Sequence, residues 1–421
     1  MQKKILERFF WYVKMDTQSE EDVENRYPST AKQLNLGRLL VDEMKEMGLE
    51  DAVMDEYGCV MATLPGNLPD AQTSLVPVIG FLAHLDTSPE VSGTNVMPIL
   101  HENYQGEDIV LPGDTTQIIR LKENPELKKY IGEDIVTSDG TTLLGADDKA
   151  GIAEIMTMIE YLQSHPDIKH GDIRFGFTPD EEVGQGTKYF DISKFGADFA
   201  YTVDGEKVGE VENESFNAFT AIITIRGINM HPGYAKGKLV NAVRIAADII
   251  KTMEDEPAPE TTEKREGYLH PYSIEGGVGE VVLKILLRDF EMVGIQEKTK
   301  RLNIILKRVQ EKYSDASIDI EIRESYKNMR SKLEQDTRVL QYALEAVKRT
   351  GIQPVLQIIR GGTDGTRLCD KGLLTPNIFT GGMNFHSKLE WIPVNAMELA
   401  MMTLVHIVQI WTENGFAPEK K

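Results

Sequence analysis

Three consecutive acids, Asp180, Glu181 and Glu182, close the stretch RFGFTPDEEVG (Arg174–Gly184) directly after an apolar run. Crowded carboxylates repel one another, and a desolvated one takes up a proton unless a positive charge holds it ionised. No basic residue follows them until Lys188. Either these acids form a solvated turn or a cation sits among them. Other stretches have the same character. His84 and Asp86 follow the run Val76–Leu82, Asp204 closes ADFAYTVDG, Asp147 stands just before the helical pattern KAGIAEIMTMIEYL, and His386 lies in the loop after PNIFTGG. Imidazole and carboxylate together suit zinc, whose catalytic sites keep positions open for water or substrate. Two metal ions about 3.5–4 Å apart can share one carboxylate and one water. The inventory suits such a pair, with His84 and Asp204 on one ion, Glu182 and His386 on the other, and Asp147 between them. Asp86 is spaced to orient the His84 imidazole, and Glu181 is left beside the ions as a general base. Each element alone is commonplace: an HxD pair after a strand, an acidic turn, a glycine-rich loop. Their combination at the ends of strands and the start of a helix is what points to a site.

Periodicity supplies the elements that must carry these residues. The near-continuous apolarity of Val76–Leu82 predicts a strand buried on both faces, as in a parallel sheet, and Asp172–Thr178 is a second strand. Ligands of open α/β sheets bind outside the carboxyl ends of the strands, which is where these acids and imidazoles fall. At the N-terminus, Ile5, Leu6, Phe9, Tyr12 and Val13 recur at helical spacing. Thr30–Gln33 reads as a capping box opening a helix that stops at Gly48. From about Phe216 the order becomes β-α-β-β-α-β, the split-βαβ signature of a ferredoxin-like sandwich, with helices at Leu239–Met253 and Val293–Lys312. The expected class is α/β: a mixed sheet with helices on both faces, built from residues 1–210 and 326–421. An inserted ferredoxin-like α+β lid or dimerisation domain occupies 211–325.

The totals narrow the function classes. A net charge of −21 argues against a nucleic-acid surface. The only two cysteines, Cys59 and Cys369, form no disulfide framework, as expected for a reducing, cytoplasmic compartment. No apolar run approaches the ~18–20 residues of a membrane span, and the opening residues lack the pattern of a signal peptide. The GGTDG loop (Gly361–Gly365) lacks the Lys-Ser/Thr of a phosphate-binding loop.

The segments AHLDTSP, LLGADDKAGIAEIM, FTPDEEVG, YTVDG, MHPGYAKG, RGGTDGTRL and NIFTGG-NFH occur in this order between residues 83 and 386. In that set and order the chain resembles the tripeptide aminopeptidases of the M20 family of two-zinc metallopeptidases. The resemblance implies two Zn2+ per chain (Mn2+ or Co2+ being accepted by the same ligands) on His84, Asp147, Glu182, Asp204 and His386. It also implies Glu181 as base, Asp86 as the orienting residue, and a cis peptide between Asp147 and Asp148. Within this resemblance, His231 in MHPG reaches the reaction centre and stabilises the oxyanion. Arg360 and Arg288 pair with a peptide's terminal carboxylate. The implied activity is release of the N-terminal residue from small peptides, tripeptides above all, by a zinc-activated bridging water. Another dizinc amidohydrolase of the family (dipeptidase, carboxypeptidase or deacylase) and a non-catalytic relative are the alternatives, and a homodimer is open. Glu206 and Phe385 depart from the familiar pattern, and Asp180 is expected to be a solvated or capping residue.

Overall fold

The computed structural model describes residues 1–73 and 75–415; residues 416–421, the end of the expected 326–421 segment, lie outside the described residues. The chain divides into two units. One comprises residues 1–213, 332–357 and 363–421, and the other 214–331 with 358–362.

The first unit is organised by a mixed eight-stranded sheet. Its order is Val53–Met54, Val60–Leu64, Ile173–Thr178, Ile79–His84, Phe199–Gly205, Asn377–Phe379, Glu210–Ser215 and Val355–Ile359. Ile79–His84 runs parallel to both Ile173–Thr178 and Phe199–Gly205, and Asn377–Phe379 is parallel to the latter. All six residues of Ile79–His84 are buried, five of them as the unbroken apolarity of Ile79–Ala83 requires, with the polar His84 closing the strand. Both faces are covered. Leu82 and Ala200 join Phe195 and Leu368 in one cluster. From Tyr201, the hydroxyl donates to the Val339 carbonyl and accepts from the indole of Trp411, tying the sheet to helices Arg338–Arg349 and Val394–Gly415. Contrary to the expectation that no apolar run approaches a membrane span, helix Val394–Gly415 is long and apolar enough to cross one by length and composition. Its Met401, Leu404, Val405 and Trp411 are buried within the unit.

Four parallel strands therefore end on one edge, and their ends carry His84, the Asp180–Glu182 turn, Asp204 and the loop to His386. Helix Ala146–Ser164 brings Asp147 to the same edge. Its approach to the sheet is set by Gly151, where a Cβ would lie 2.0 Å from the carbonyl oxygen of Val203.

One local expectation is corrected. The helix predicted from a Thr30–Gln33 capping box spans Gln33–Glu46, with no side-chain cap. Thr30 donates instead to the Gln18 carbonyl. The Gln33 side-chain oxygen, which a capping box would turn to the Thr30 N–H, accepts from the Asp180 N–H instead, and its amide donates to the buried Asp180 carboxylate.

The second unit has a four-stranded antiparallel sheet in the order Tyr268–Gly276, Glu280–Asp289, Asn217–Arg226, Ser317–Tyr326, with helices Ala242–Thr252 and Met292–Lys312. Alternation decides its faces: Ala221, Ile223 and Ile225 pack with Ile245, Ile249 and Leu302 in one core. The unit also takes in Ile358–Gly362, which the sequence reading left outside it. The cause is Arg360, whose guanidinium lies over the rings of Phe216 and Tyr268.

Gly151→Ala must push helix Ala146–Ser164 off the strand carrying Asp204. The expected cost is roughly 1–3 kcal/mol of stability, as for other overpacked cores, read from a denaturant midpoint. An unchanged midpoint would show that the close approach is not needed.

Candidate metal centre

The His84 imidazole is set by its own strand end. Its Nδ1 donates to the Asp86 carbonyl at 3.0 Å and lies 3.4 Å from Oδ1 of that residue. This leaves Nε2 facing Asp147 Oδ1 at 2.8 Å and Asp204 Oδ1 at 3.5 Å. On the other side of the same carboxylate, His386 Nε2 lies 3.1 Å from Asp147 Oδ2 and 2.8 Å from Glu182 Oε2. Asp147 thus presents one oxygen to each imidazole. Two groups of ligand atoms result, His84–Asp147–Asp204 and Asp147–Glu182–His386, each with all atoms within 4.8 Å of one another. Imidazole nitrogen with carboxylate oxygen is the donor set that zinc and similar ions accept. Glu182 Oε1 is buried with no hydrogen-bond partner among the described residues, as expected of an oxygen reserved for an ion. The donor set fits two ions sharing Asp147.

The surrounding groups fix these positions. Asp86 is fully buried and accepts from the backbone N–H of Glu181 at 2.9 Å and of Glu182 at 3.2 Å, so one carboxylate aligns both the imidazole and the acidic turn. Asp180 is corrected here, since it is buried, not solvated. It accepts from the Ser29 N–H and hydroxyl, both at 2.5 Å, and from the Gln33 amide at 2.7 Å. Its φ of 59° lies in the left-handed region that Asp tolerates and reverses the chain just before Glu181. The Asp147–Asp148 peptide is cis.

Three acids escaped the sequence reading. Glu390 accepts from the N–H groups of Leu144, Gly145 and Asp147 at 2.8, 2.7 and 3.1 Å, clamping the loop that delivers Asp147. Asp148 accepts from the His84 N–H at 3.0 Å, and Asp364 from the Thr178 hydroxyl at 2.6 Å. Asp148 and Asp364 stand in the quoted LLGADDKAG and RGGTDGTRL segments, so being buried beside ligand-type residues was their available signal. Glu390 carried none.

Burial dominates the electrostatics. It raises Glu181 well above the usual carboxylate range, with Asp204, Asp364 and Glu182 adding to it. Glu182 is pushed up to about 8 by burial and then by Asp147, and Asp204 to about 6 by burial first. For His386, burial works against the charged form, but its hydrogen bonds to Asp147 and Glu182 prevail and raise it to about 11. Without a bound ion, protons on the imidazoles supply the positive charge this cluster demands.

The remaining expected residues lie in the second unit. His231 is exposed and its Nδ1 accepts from the Gly233 N–H at 3.1 Å, which in the neutral tautomer puts the proton on Nε2 as a donor. Arg360 donates to the carbonyls of Lys264 and Glu266 and to the Thr262 hydroxyl. Arg288 donates to the carbonyls of Phe219 and Leu287.

Comparison with known proteins defines the class. The model of peptidase family M20/M25/M40 matches residues 139–410. Peptidase T of Clostridium acetobutylicum is 49% identical over 98% of this chain and 100% of its own length. For peptidase T of Geobacillus thermodenitrificans the identity is 48%, covering 98% and 99%. Among solved structures, aminopeptidase PepT from Bacillus cereus superposes with a TM-score of 0.74 at 23% identity, over 98% of this chain and 99% of that one. A dinuclear metal-binding M20 peptidase from Bacillus subtilis gives 0.65 at 14% identity, over 98% of each chain. The chain belongs to peptidase family M20/M25/M40, and it is a hydrolase of peptide bonds.

Because His386 and Glu182 hold protons near neutral pH that an ion must displace, metal affinity rises with pH and binding releases protons. Chelator competition with zinc from about pH 6 to about pH 8 should show Kd falling as pH rises. A pH-independent Kd would contradict the proton-loaded cluster.

Proposed function

We propose that this chain is a cytoplasmic dizinc aminopeptidase that releases the N-terminal residue of tripeptides. The observation that carries the reading is the Asp147 carboxylate, with one oxygen on His84 Nε2 and the other on His386 Nε2. The full-length similarity to peptidase T supports the tripeptide preference. Two buried free cysteines, Cys59 and Cys369, support a reducing compartment.

In this proposal His84, Asp147 and Asp204 hold one zinc ion, and Asp147, Glu182 and His386 the other. Bound there, the ions would supply Lewis acidity and acidify a shared water. The chain's own residues do the rest. Glu181, whose basicity is raised by burial, takes the proton of the attacking water and returns it to the departing amine. Asp86 keeps Glu181 and His84 in register through its bonds to the Glu181 N–H and the His84 ring. His231, whose Nδ1 is taken by the Gly233 N–H, donates from Nε2 to the developing oxyanion. Arg360, stacked on Phe216 and Tyr268, is proposed to pair with the substrate's terminal carboxylate, with Arg288 as its partner in that contact. The exposed Tyr272 and Ile274 of the second unit are the proposed surface for pairing two chains, which sedimentation of the intact protein would test.

Glu181→Ala should keep two zinc ions per chain by metal analysis while turnover drops by about 100-fold or more. Loss of metal with activity retained would refute the base assignment. In a panel of tripeptides with free and blocked ends, N-acetylation should abolish cleavage. C-terminal amidation should raise KM for the wild type but not for Arg360→Ala. Equal cleavage of acetylated peptides would exclude an aminopeptidase, and an equal amidation effect in both proteins would remove Arg360 from substrate binding.

A further inference from the structure

A small cavity of about 10 Å3 opens among the strand ends beside the candidate metal centre, lined by His84, Asp148, Glu181, Thr202, Asp204 and Asp364 among others. That is room for about one water. Three of its lining residues each bury a polar atom that has no hydrogen-bond partner among the described residues: Asp148 Oδ1, Thr202 Oγ1 and Asp364 Oδ1. The other oxygen of each carboxylate is already satisfied, Asp148 Oδ2 by the His84 N–H and Asp364 Oδ2 by the Thr178 hydroxyl. The three come from helix Ala146–Ser164, the Asp204 strand and the glycine-rich loop, and all are almost wholly buried. All three residues line this one cavity.

We propose that this cavity binds a single water, which donates to Asp148 and Asp364 and accepts from the Thr202 hydroxyl. Through it Asp364 acts as a positioning residue for Glu181. The chemistry of the three atoms matches what one water offers, two donors and an acceptor. Leaving three buried polar atoms unpaired costs more than immobilising one water. The volume of about 10 Å3 fits a single water. Among the described residues, no side-chain hydrogen bond holds the Glu181 carboxylate. Glu181 lines the same cavity as Asp364, so what fills that cavity bears on where its carboxylate sits.

The positioning role rests on Glu181 being the general base; the water does not. The test is a high-resolution crystal structure of the zinc-loaded protein, alongside Thr202→Val, which keeps the shape and removes the hydroxyl, and Asp364→Asn as a second variant. The wild type should show one peak within about 3.2 Å of all three atoms. Both variants should lose or displace it, with kcat down about 10-fold or more, KM little changed and two zinc ions retained. An empty wild-type cavity overturns the proposal, and so does a peak that gives an anomalous signal after rubidium exchange. Loss of the peak with kcat unchanged overturns the positioning role. A wild-type protein that shows the peak but cleaves no tripeptide would instead refute the function proposed above.

Discussion

Burying a carboxylate away from water costs several kcal/mol unless an opposite charge or a full set of hydrogen bonds compensates it. This chain buries Asp86, Asp147, Asp148, Asp180, Asp364 and Glu390 around one edge of one sheet. Hydrogen bonds settle several of them. Asp180 is saturated by Ser29 and Gln33, Glu390 by three backbone N–H groups, and Asp86 by the turn it aligns. Asp147 is different, because its two oxygens meet two imidazole nitrogens that must each carry a proton or bind a cation. The shared demand for positive charge at Asp147 is the constraint that the rest of the site answers.

The scaffold answers it by placing each donor on an element that cannot easily move. Four parallel strands end side by side, so His84, the Asp180–Glu182 turn, Asp204 and the loop carrying His386 arrive at one edge by topology alone. Helix Ala146–Ser164 reaches that edge because Gly151 lets it lie against the Val203 backbone. Beneath the ligand-type side chains, Asp86 and Glu390 hold backbone donors from the turn and from the Asp147 loop. Side chains set to within a fraction of an ångström need such supporting contacts.

Much of this was legible in the sequence, for a definable reason. A strand buried on both faces must be continuously apolar, so a polar residue straight after it marks the strand's end. His84 and Asp204 announce themselves in that way. The split-βαβ order of the second unit was readable from its alternation, since each of its strands has one covered face. What stayed hidden was contact between distant segments. Nothing in SKLEW signals that Glu390 caps the loop before Asp147, because three backbone donors leave no trace in side-chain pattern. The capping-box reading of Thr30–Gln33 failed because Asp180, far along the chain, competes for Gln33. The acid triplet shows the same limit. Repulsion among Asp180, Glu181 and Glu182 was evident, yet which of them would turn inward depended on Ser29 and Gln33.

The proposed site turns on Asp147 bridging two ions, and anomalous diffraction at the zinc edge from the metal-loaded protein tests that most directly. Two peaks about 3.5–4 Å apart, each within bonding distance of a different Asp147 oxygen, are the predicted result. A single ion, or two ions too far apart to share that carboxylate, would contradict it.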